Sequence, residues 1–432
     1  MDSALHDFNR KKRVKSFPIP TDDARVKLYL RLIREPICLF AEGPAERRDR
    51  LRAVLLEREE IPAELLSYTN SMQDSTLSNK EQNDGELFLM GSTEFYEVRR
   101  NWLCQWSLSQ ASSRLSRERE LKARPVGQVK AEREAAYNSL YEMNLYASQI
   151  GGERPLSCCS FLGDSLLTGS WSGEIKKWSV PDCELSFSFE NGHKERVCSI
   201  DSSPSDPSLF ASGGMDSLIY LWSSNSSIPI GRLDGHAHRV SRVRFHPSGR
   251  LLGSASYDTS WRLWDVERQQ ELMLQEGHSK EVHCLDFQCD GGLAATGGLD
   301  CIGRVWDIRT THAIMTLQGH ASSIYAVAFS PNGHELATGS EDNSYKIWDL
   351  RMLKCMTTIP AHTNLISNLV YCKDALLTVS YDCSLKIWGA YNYKLIKTLM
   401  GHENKVQGLC IDKQERWIAT CGFDRTFKLW CK

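Results

Sequence analysis

From about residue 156 onward, apolar residues come in short runs of strand length, each closed by turn-forming residues. The stretch 326–350 shows the form. "AVAFS", "ELATGS" and "SYKIWDL" read as β-strands, with "PNG" and "EDN" as the turns between them. No run is long enough to cross a membrane. Upstream the spacing becomes helical. Val26, Leu30 and Ile33 share one face behind the capping oxygens of Thr21, Asp22 and Asp23, and Pro36 ends that helix. Leu51, Val54 and Leu55 form the apolar side of a second helix, with Pro44 suited to its first turn. Between them "PICLF" is a short, β-prone run. Phe95, Val98, Trp102 and Trp106 resume helical spacing, followed by "SRLSRERELKA", and predict a helical layer with the two tryptophans as packing anchors.

The strand-rich part is periodic. Tryptophan recurs at 178, 222, 264, 306, 348, 388 and 430, at intervals of 44, 42, 42, 42, 40 and 42 residues. Three further residues keep step with all but the first. A histidine (His193, His236, His278, His320, His362, His402) precedes each tryptophan by 26 to 29 residues. A hydroxyl lies ten residues before it (Ser212, Ser254, Thr296, Thr338, Thr378, Thr420) and an aspartate six before (Asp216, Asp258, Asp300, Asp342, Asp382, Asp424). Together with Trp222, Trp264, Trp306, Trp348, Trp388 and Trp430, these make six copies of one quartet. The chain is identified on this beat as a WD40 array: an all-β seven-bladed WD40 β-propeller preceded by a mostly helical, partly disordered N-terminal region.

In such a blade the histidine precedes the first strand and the aspartate sits in the turn between the next two, so the four side chains can meet. A chain Trp–Ser/Thr–His–Asp would satisfy buried donors and acceptors together. His–Ser–Asp is also the composition of a hydrolase triad, but one copy per blade argues for a structural network, because function lives in singular sites. The first unit departs from the pattern: Thr168 and Trp178 are present, but Ser172 replaces the aspartate and "IGGE" stands in place of Gly-His.

The sequence stops two residues after Trp430, which leaves the seventh blade short of its outermost strand. Closed propellers borrow that strand from upstream, hiding an edge that would otherwise recruit other chains. Residues 144–151 are the candidate, although Ala136, Leu140, Met143, Ala147 and Ile150 sit at helical spacing. The preferred expectation is a helix giving way to a short strand near Leu145; the alternative is a three-stranded blade covered by a helix. The expected organisation is a basic flexible N-terminus (1–20), a docking block (21–66), a polar, turn-rich flexible linker (67–92), a helical segment packing on the propeller (93–143) and the propeller (144–432).

Composition narrows the chemistry. A formal net charge of −2 excludes a polycation that coats nucleic acid indiscriminately. Fifteen cysteines occur without a Cys-x-x-Cys pair or a Cys/His cluster at zinc spacing, so they read as buried free thiols in a reducing compartment. No cofactor, metal or small-molecule substrate is expected, and neither a phosphate-cradling glycine loop nor a singular nucleophile–base pair points to an enzyme. One basic cluster stands out: Arg10, Lys11, Lys12, Arg13 and Lys15 are a candidate nuclear signal, a contact for RNA phosphates or a solvated terminus.

The block "TDDARVKLYLRLIREPICLFAEGPAERRDRLRAVL" (21–55) closely resembles the splicing-factor motif at the front of the WD40 proteins of the U4/U6 small nuclear ribonucleoprotein, with Pro20 where the full motif has serine. The resemblance extends through "NWLCQWSL", "SQIGGERPLS", "WSVPDC", "HPSGRLLGSASYDTSWRLWD" and "GFDRTFKLW". It implies a non-catalytic nuclear scaffold of the U4/U6 and U4/U6.U5 particles in pre-mRNA splicing. The implied partners are a pre-mRNA processing factor three-like protein, a spliceosomal cyclophilin, and U4/U6 snRNA within the complex. By the same resemblance, Pro36, Ile37, Cys38, Leu39, Phe40, Glu42, Gly43 and Pro44 form the cyclophilin-docking element. The alternative is a WD40 adaptor or substrate receptor in ubiquitin-ligase or G-protein signalling complexes. That would want an F-box-like module or a long heptad helix, and the front helices are short and proline-broken.

A second candidate surface follows from the repeat. The residue before each turn aspartate lies near one rim of the disc: Trp171, Met215, Tyr257, Leu299, Glu341, Tyr381 and Phe423. Aromatic residues and arginine are the usual interface anchors. Trp171, Tyr257, Tyr381 and Phe423, with Arg239, Arg262 and Arg304, are therefore the partner-binding candidates, and Arg425 is a further charge nearby. Packing between blades is the competing role for each side chain.

Overall fold

Each apolar run becomes a strand because its residues are buried on both faces: Leu336, Ala337 and Thr338 of "ELATGS" are all 0% exposed. The computed structural model of the chain describes residues 23–33, 35–36, 44–57, 102–189 and 192–432. The basic cluster Arg10–Lys15, the central docking residues Ile37, Cys38, Leu39, Phe40, Glu42 and Gly43, the linker 67–92, and Phe95 and Val98 lie outside the described residues. The rest forms two compact units.

The first unit is a helix pair, α1 (Asp23–Leu32) and α2 (Pro44–Glu57). Val26, Tyr29, Leu30 and Ile33 pack with Leu51 and Leu55 into a small cluster of their own. Six apolar side chains suffice to pair the two helices. Pro36 is exposed just beyond α1, and Pro44 opens α2.

The second unit is a ring of seven four-stranded antiparallel sheets. In chain order the blades span 156–189, 197–233, 240–275, 282–317, 324–360, 366–400 and 406–431. The first strands of successive blades abut, and the ring closes where Val406–Ile411 meets Leu156–Leu162. In every blade a register shift follows the first residue of this inner strand, as between Val240 and Arg242. Such bulges increase local twist, and here they free the bulged side chain for the neighbouring blade: Ser241 Oγ donates to the Val282 carbonyl at 2.7 Å.

The seventh blade takes its outer strand from upstream. Asn144–Ile150 pairs antiparallel with Thr426–Cys431, so of the two expected arrangements the strand is the one present. The helix before it, α4 (Val126–Tyr141), stops short of Ala147 and Ile150, whose helical spacing is coincidental. Lys397 holds its end, donating to the carbonyls of Tyr141 (2.8 Å) and Met143 (2.6 Å), a favourable place for a cation.

Helix α3 (Cys104–Ala123) lies on blades three to five. Leu103 is fully buried among Leu251, Phe287 and Ile308. The Arg114 guanidinium meets the Asp290 carboxylate at 2.7–3.1 Å and the Asn332 carbonyl at 2.7 Å. Trp102 and Trp106 stack 6.2 Å apart and lean on His246, as packing anchors do.

His246 makes stability depend on pH. It is fully buried, with Nε2 on the Gly291 carbonyl (2.9 Å) and Nδ1 on the Ser248 hydroxyl (2.8 Å), and burial holds its pKa down at about 4. Because the unfolded chain takes up this proton first, stability is complete above about pH 6.5 and is lost as pH falls toward 4. A shift of that size corresponds to about 3 kcal/mol. Burial lowers His283 to about 4 as well, adding a slope of the same sign. Urea midpoints taken across this window should fall less steeply for His246→Gln than for the wild type. Identical slopes would remove His246 from the account.

Candidate interaction site

In six blades the quartet closes as one hydrogen-bonded chain. The tryptophan Nε1–H donates to the hydroxyl at 2.8–3.0 Å. That oxygen lies 2.7–2.8 Å from histidine Nε2. Histidine Nδ1 lies 2.7–3.0 Å from the aspartate. An ionised aspartate can only accept, so histidine Nδ1 carries a proton and donates to it, which fixes the ring's orientation. Burial alone would raise the aspartate pKa values; hydrogen bonds from the histidine, from the backbone N–H two residues on and, at Asp258, Asp342, Asp382 and Asp424, from a neighbouring hydroxyl outweigh it and hold all six below the usual carboxylate range.

Each aspartate also accepts, through Oδ1, the backbone N–H two residues on, as Ser344 does at 3.0 Å. The residue between adopts a left-handed conformation: Ser217, Thr259, Cys301, Asn343, Cys383 and Arg425 have φ of 63–68°. The first blade keeps the Trp178–Thr168 bond (2.9 Å), but Ser172 offers no carboxylate, and Gly173 takes the left-handed position there. Chemically the quartet can orient turns and weld strands; its imidazoles are fully occupied.

Those turns carry the second surface. The N–H of each rim residue bonds the carbonyl of the residue that leads into the same blade's inner strand: Trp171 to Pro155, Met215 to Arg196, Tyr257 to Arg239, Leu299 to Glu281, Glu341 to Ser323, Tyr381 to Leu365 and Phe423 to Lys405. The structure brings Trp171, Phe423 and Tyr381 into edge-to-face contact, with centroids 5.0 and 5.8 Å apart. Guanidinium planes cover two of the rings, Arg196 over Trp171 at 4.3 Å and Arg239 over Tyr257 at 3.7 Å, and Lys405 lies 5.0 Å from Tyr381. Arg262 and Arg304 are elsewhere. Both sit on third strands; Arg262 pairs with Glu271 of the outer strand, and Arg304 lies against Gly277.

Arg196 and Lys405 are the residues that reading by motif missed. The signal was available: each stands three residues after a quartet histidine, where Arg239 also stands. Inside the channel, Arg242 reaches from blade three to Asn368 Oδ1 of blade six at 3.4 Å. Arg244 lies between Asp201 (3.1 Å) and Asp286 (3.4 Å). Among the described residues no cluster of three or more histidine, cysteine, aspartate or glutamate side chains could hold a metal, and no helix is long and apolar enough to cross a membrane.

A closed ring of seven blades, six of them welded by a Trp–hydroxyl–His–Asp chain, defines a β-propeller of the G-protein-β type, and the family comparison agrees. The model described as "WD domain, G-beta repeat" matches residues 183–223, 227–265, 269–307, 312–349, 353–389 and 393–431, and the chain belongs to the WD40-repeat family. Each matched segment runs from the outer strand of one blade through three strands of the next, so the sequence repeat staples neighbouring blades. Residues 26–54, in α1 and α2, match a second model, "pre-mRNA processing factor 4 (PRP4) like".

Among individual proteins, the chain is similar to the U4/U6 small nuclear ribonucleoprotein Prp4 of Homo sapiens, 44% identical over 198 residues that cover 45% of this chain and 37% of that protein. It is 32% identical over 251 residues to the U4/U6 small nuclear ribonucleoprotein PRP4 of Saccharomyces cerevisiae, covering 56% and 53%. An uncharacterised WD-repeat protein of Schizosaccharomyces pombe is 39% identical over 257 residues, covering 57% and 54%. The alignments thus span about half or less of each relative's length.

Proposed function

We propose that this chain is a non-catalytic scaffold of the U4/U6 and U4/U6.U5 small nuclear ribonucleoproteins and supports spliceosome assembly in the nucleus. The observation behind it is a conjunction. A PRP4-like helix pair and a WD40 ring occur in one chain, and relatives named as U4/U6 ribonucleoprotein components are 32–44% identical to it. A rigid propeller gives such a scaffold several faces on one fixed frame. Its partners on this reading are a pre-mRNA processing factor three-like protein, a spliceosomal cyclophilin held by the element from Pro36 to Pro44, and U4/U6 snRNA within the complex. The cluster Arg10–Lys15 supplies the nuclear address. The rim at Trp171, Tyr257, Tyr381 and Phe423 captures protein, while the blade quartets keep the frame rigid.

The test is recovery of the tagged chain from nuclear extract at moderate salt, with the bound RNA probed. Selective recovery of U4 and U6 snRNAs with a factor three-like protein is expected. Recovery of neither, with a cullin or a G-protein subunit instead, would replace this reading by the adaptor one. In the same assay Tyr257→Ala with Tyr381→Ala should weaken protein capture without unfolding the chain; unchanged capture counts against the rim.

A further inference from the structure

The channel mouth is electrically lopsided. The residues whose carbonyls accept from the rim are Arg196, Arg239 and Lys405 in blades two, three and seven, but Glu281 in blade four, and the rim residue of blade five is Glu341. A cationic arc therefore faces an acidic one. Within the cationic arc the two arginines stand over the Trp171 and Tyr257 rings, Arg239 also hydrogen-bonding Tyr257 and Arg196 the Cys198 thiol, which fixes each guanidinium and leaves its remaining N–H groups for an anion. Among the described residues, no carboxylate forms an ion pair with Arg196, Arg239, Arg242 or Lys405.

Inside the channel Arg244 pairs with Asp201 and Asp286, which also attract Arg242 at longer range, while the hydrogen bond of Arg242 itself goes to a neutral amide oxygen at 3.4 Å. His283 stands between the Tyr257 and Tyr325 rings, 6.2 and 4.7 Å away, and is neutral at pH 7. The Trp171 Nε1–H is buried without an acceptor. The uncompensated cations are therefore those at the mouth, Arg196 and Arg239, where like charges brought together favour an anion.

We infer that Arg196, Arg239 and Arg242 form an anion cradle at the channel mouth, and that it receives an acidic segment of a protein partner. This deepens the scaffold reading and rests on it for the identity of the complex, though not for the chemistry. Protein is favoured over RNA on two counts. Single-stranded nucleic acid binds on bare aromatic faces, whereas here guanidinia cover Trp171 and Tyr257, and Tyr381 and Phe423 are engaged edge to face. A phosphodiester strand also carries a charge at every residue and would meet Glu281 and Glu341 across the mouth. A peptide with its acidic residues grouped at one end avoids them, and Leu365, Leu299 and Met215 offer apolar footing between.

The test is fluorescence anisotropy on the purified full chain with labelled hexaglutamate, hexalysine and decauridine at low salt. Hexaglutamate should bind and hexalysine should not. Arg196→Glu with Arg239→Glu should weaken hexaglutamate roughly tenfold or more with an unchanged melting temperature, and Glu281→Lys with Glu341→Lys should strengthen it. Arg239→Lys, which keeps the charge but loses the plane, should fall between wild type and the reversal. Absent hexaglutamate binding, or equal affinity in the reversal variant, overturns the cradle. Decauridine binding more tightly with the same sensitivity overturns the protein assignment in favour of nucleic acid. No snRNA enters this assay, so its failure is separable from a failure to recover U4 and U6.

Discussion

Replacing Trp348 by alanine is expected to destabilise the propeller by about 3–5 kcal/mol, the range for removing a large buried aromatic side chain. The indole is 3% exposed and packs at the seam of two blades, against Ala295, Val305, Met315 and Leu317 of blade four and Ile324, Val327 and Leu336 of its own. Alanine would leave a cavity between two rigid sheets that cannot close on it independently. It would also leave Thr338 Oγ1 without the donor now 2.9 Å away. The cavity should dominate: Trp348→Phe, which keeps most of the ring and loses only the N–H, should cost about 1–3 kcal/mol. Asp342→Ala, which breaks the polar chain at its partly buried end, should cost less than Trp348→Ala. Urea unfolding of the three variants gives the order. A folded Trp348→Ala protein with wild-type stability would refute this account of the repeat's core.

Replacing residues 144–150 by a glycine–serine linker of equal length is expected to open the ring. Six cross-strand pairs with Thr426–Cys431 would be lost, at about 0.2–1 kcal/mol each from side chains alone, along with the backbone ladder between the strands. Apolar burial contributes little here. Tyr146 and Ile150 are 57% and 68% exposed, so the ladder itself holds the strand, helped by Lys428 Nζ on Ser148 Oγ at 2.6 Å. The larger consequence is the edge left behind, because an unpaired strand is a template for another chain. Light scattering should show self-association, and the buried thiols Cys159 and Cys421, at the seam of blades one and seven, should label faster than in the wild type. A monodisperse variant with unchanged labelling would show that the ring closes without this strand.

Sequence alone determined the seven-bladed fold, because the tryptophan beat and its three companions recur often enough that chance spacing is not an alternative. Each quartet also lies within about thirty residues of chain, so local order was sufficient to anticipate which side chains meet. The front helices were readable for the same reason: Val26, Leu30 and Ile33, then Leu51 and Leu55, follow the helical period and do face one another.

Tertiary structure decided what the period could not. In the closing strand only Ala147 is even partly buried, so no alternation marks the strand, and a coincidental helical spacing ran through it. Its pairing is set by residues more than 270 positions away. The channel mouth is a second case. Arg262 and Arg304 share sequence spacing with the rim residues but lie on strands and turn outward, whereas Arg196, Arg239 and Lys405 lie in the connections and are brought to the mouth by the backbone bonds of the rim residues. Repeats fix what each blade does with itself. The differences between blades acquire meaning only when ring closure places the seven rim residues around one opening.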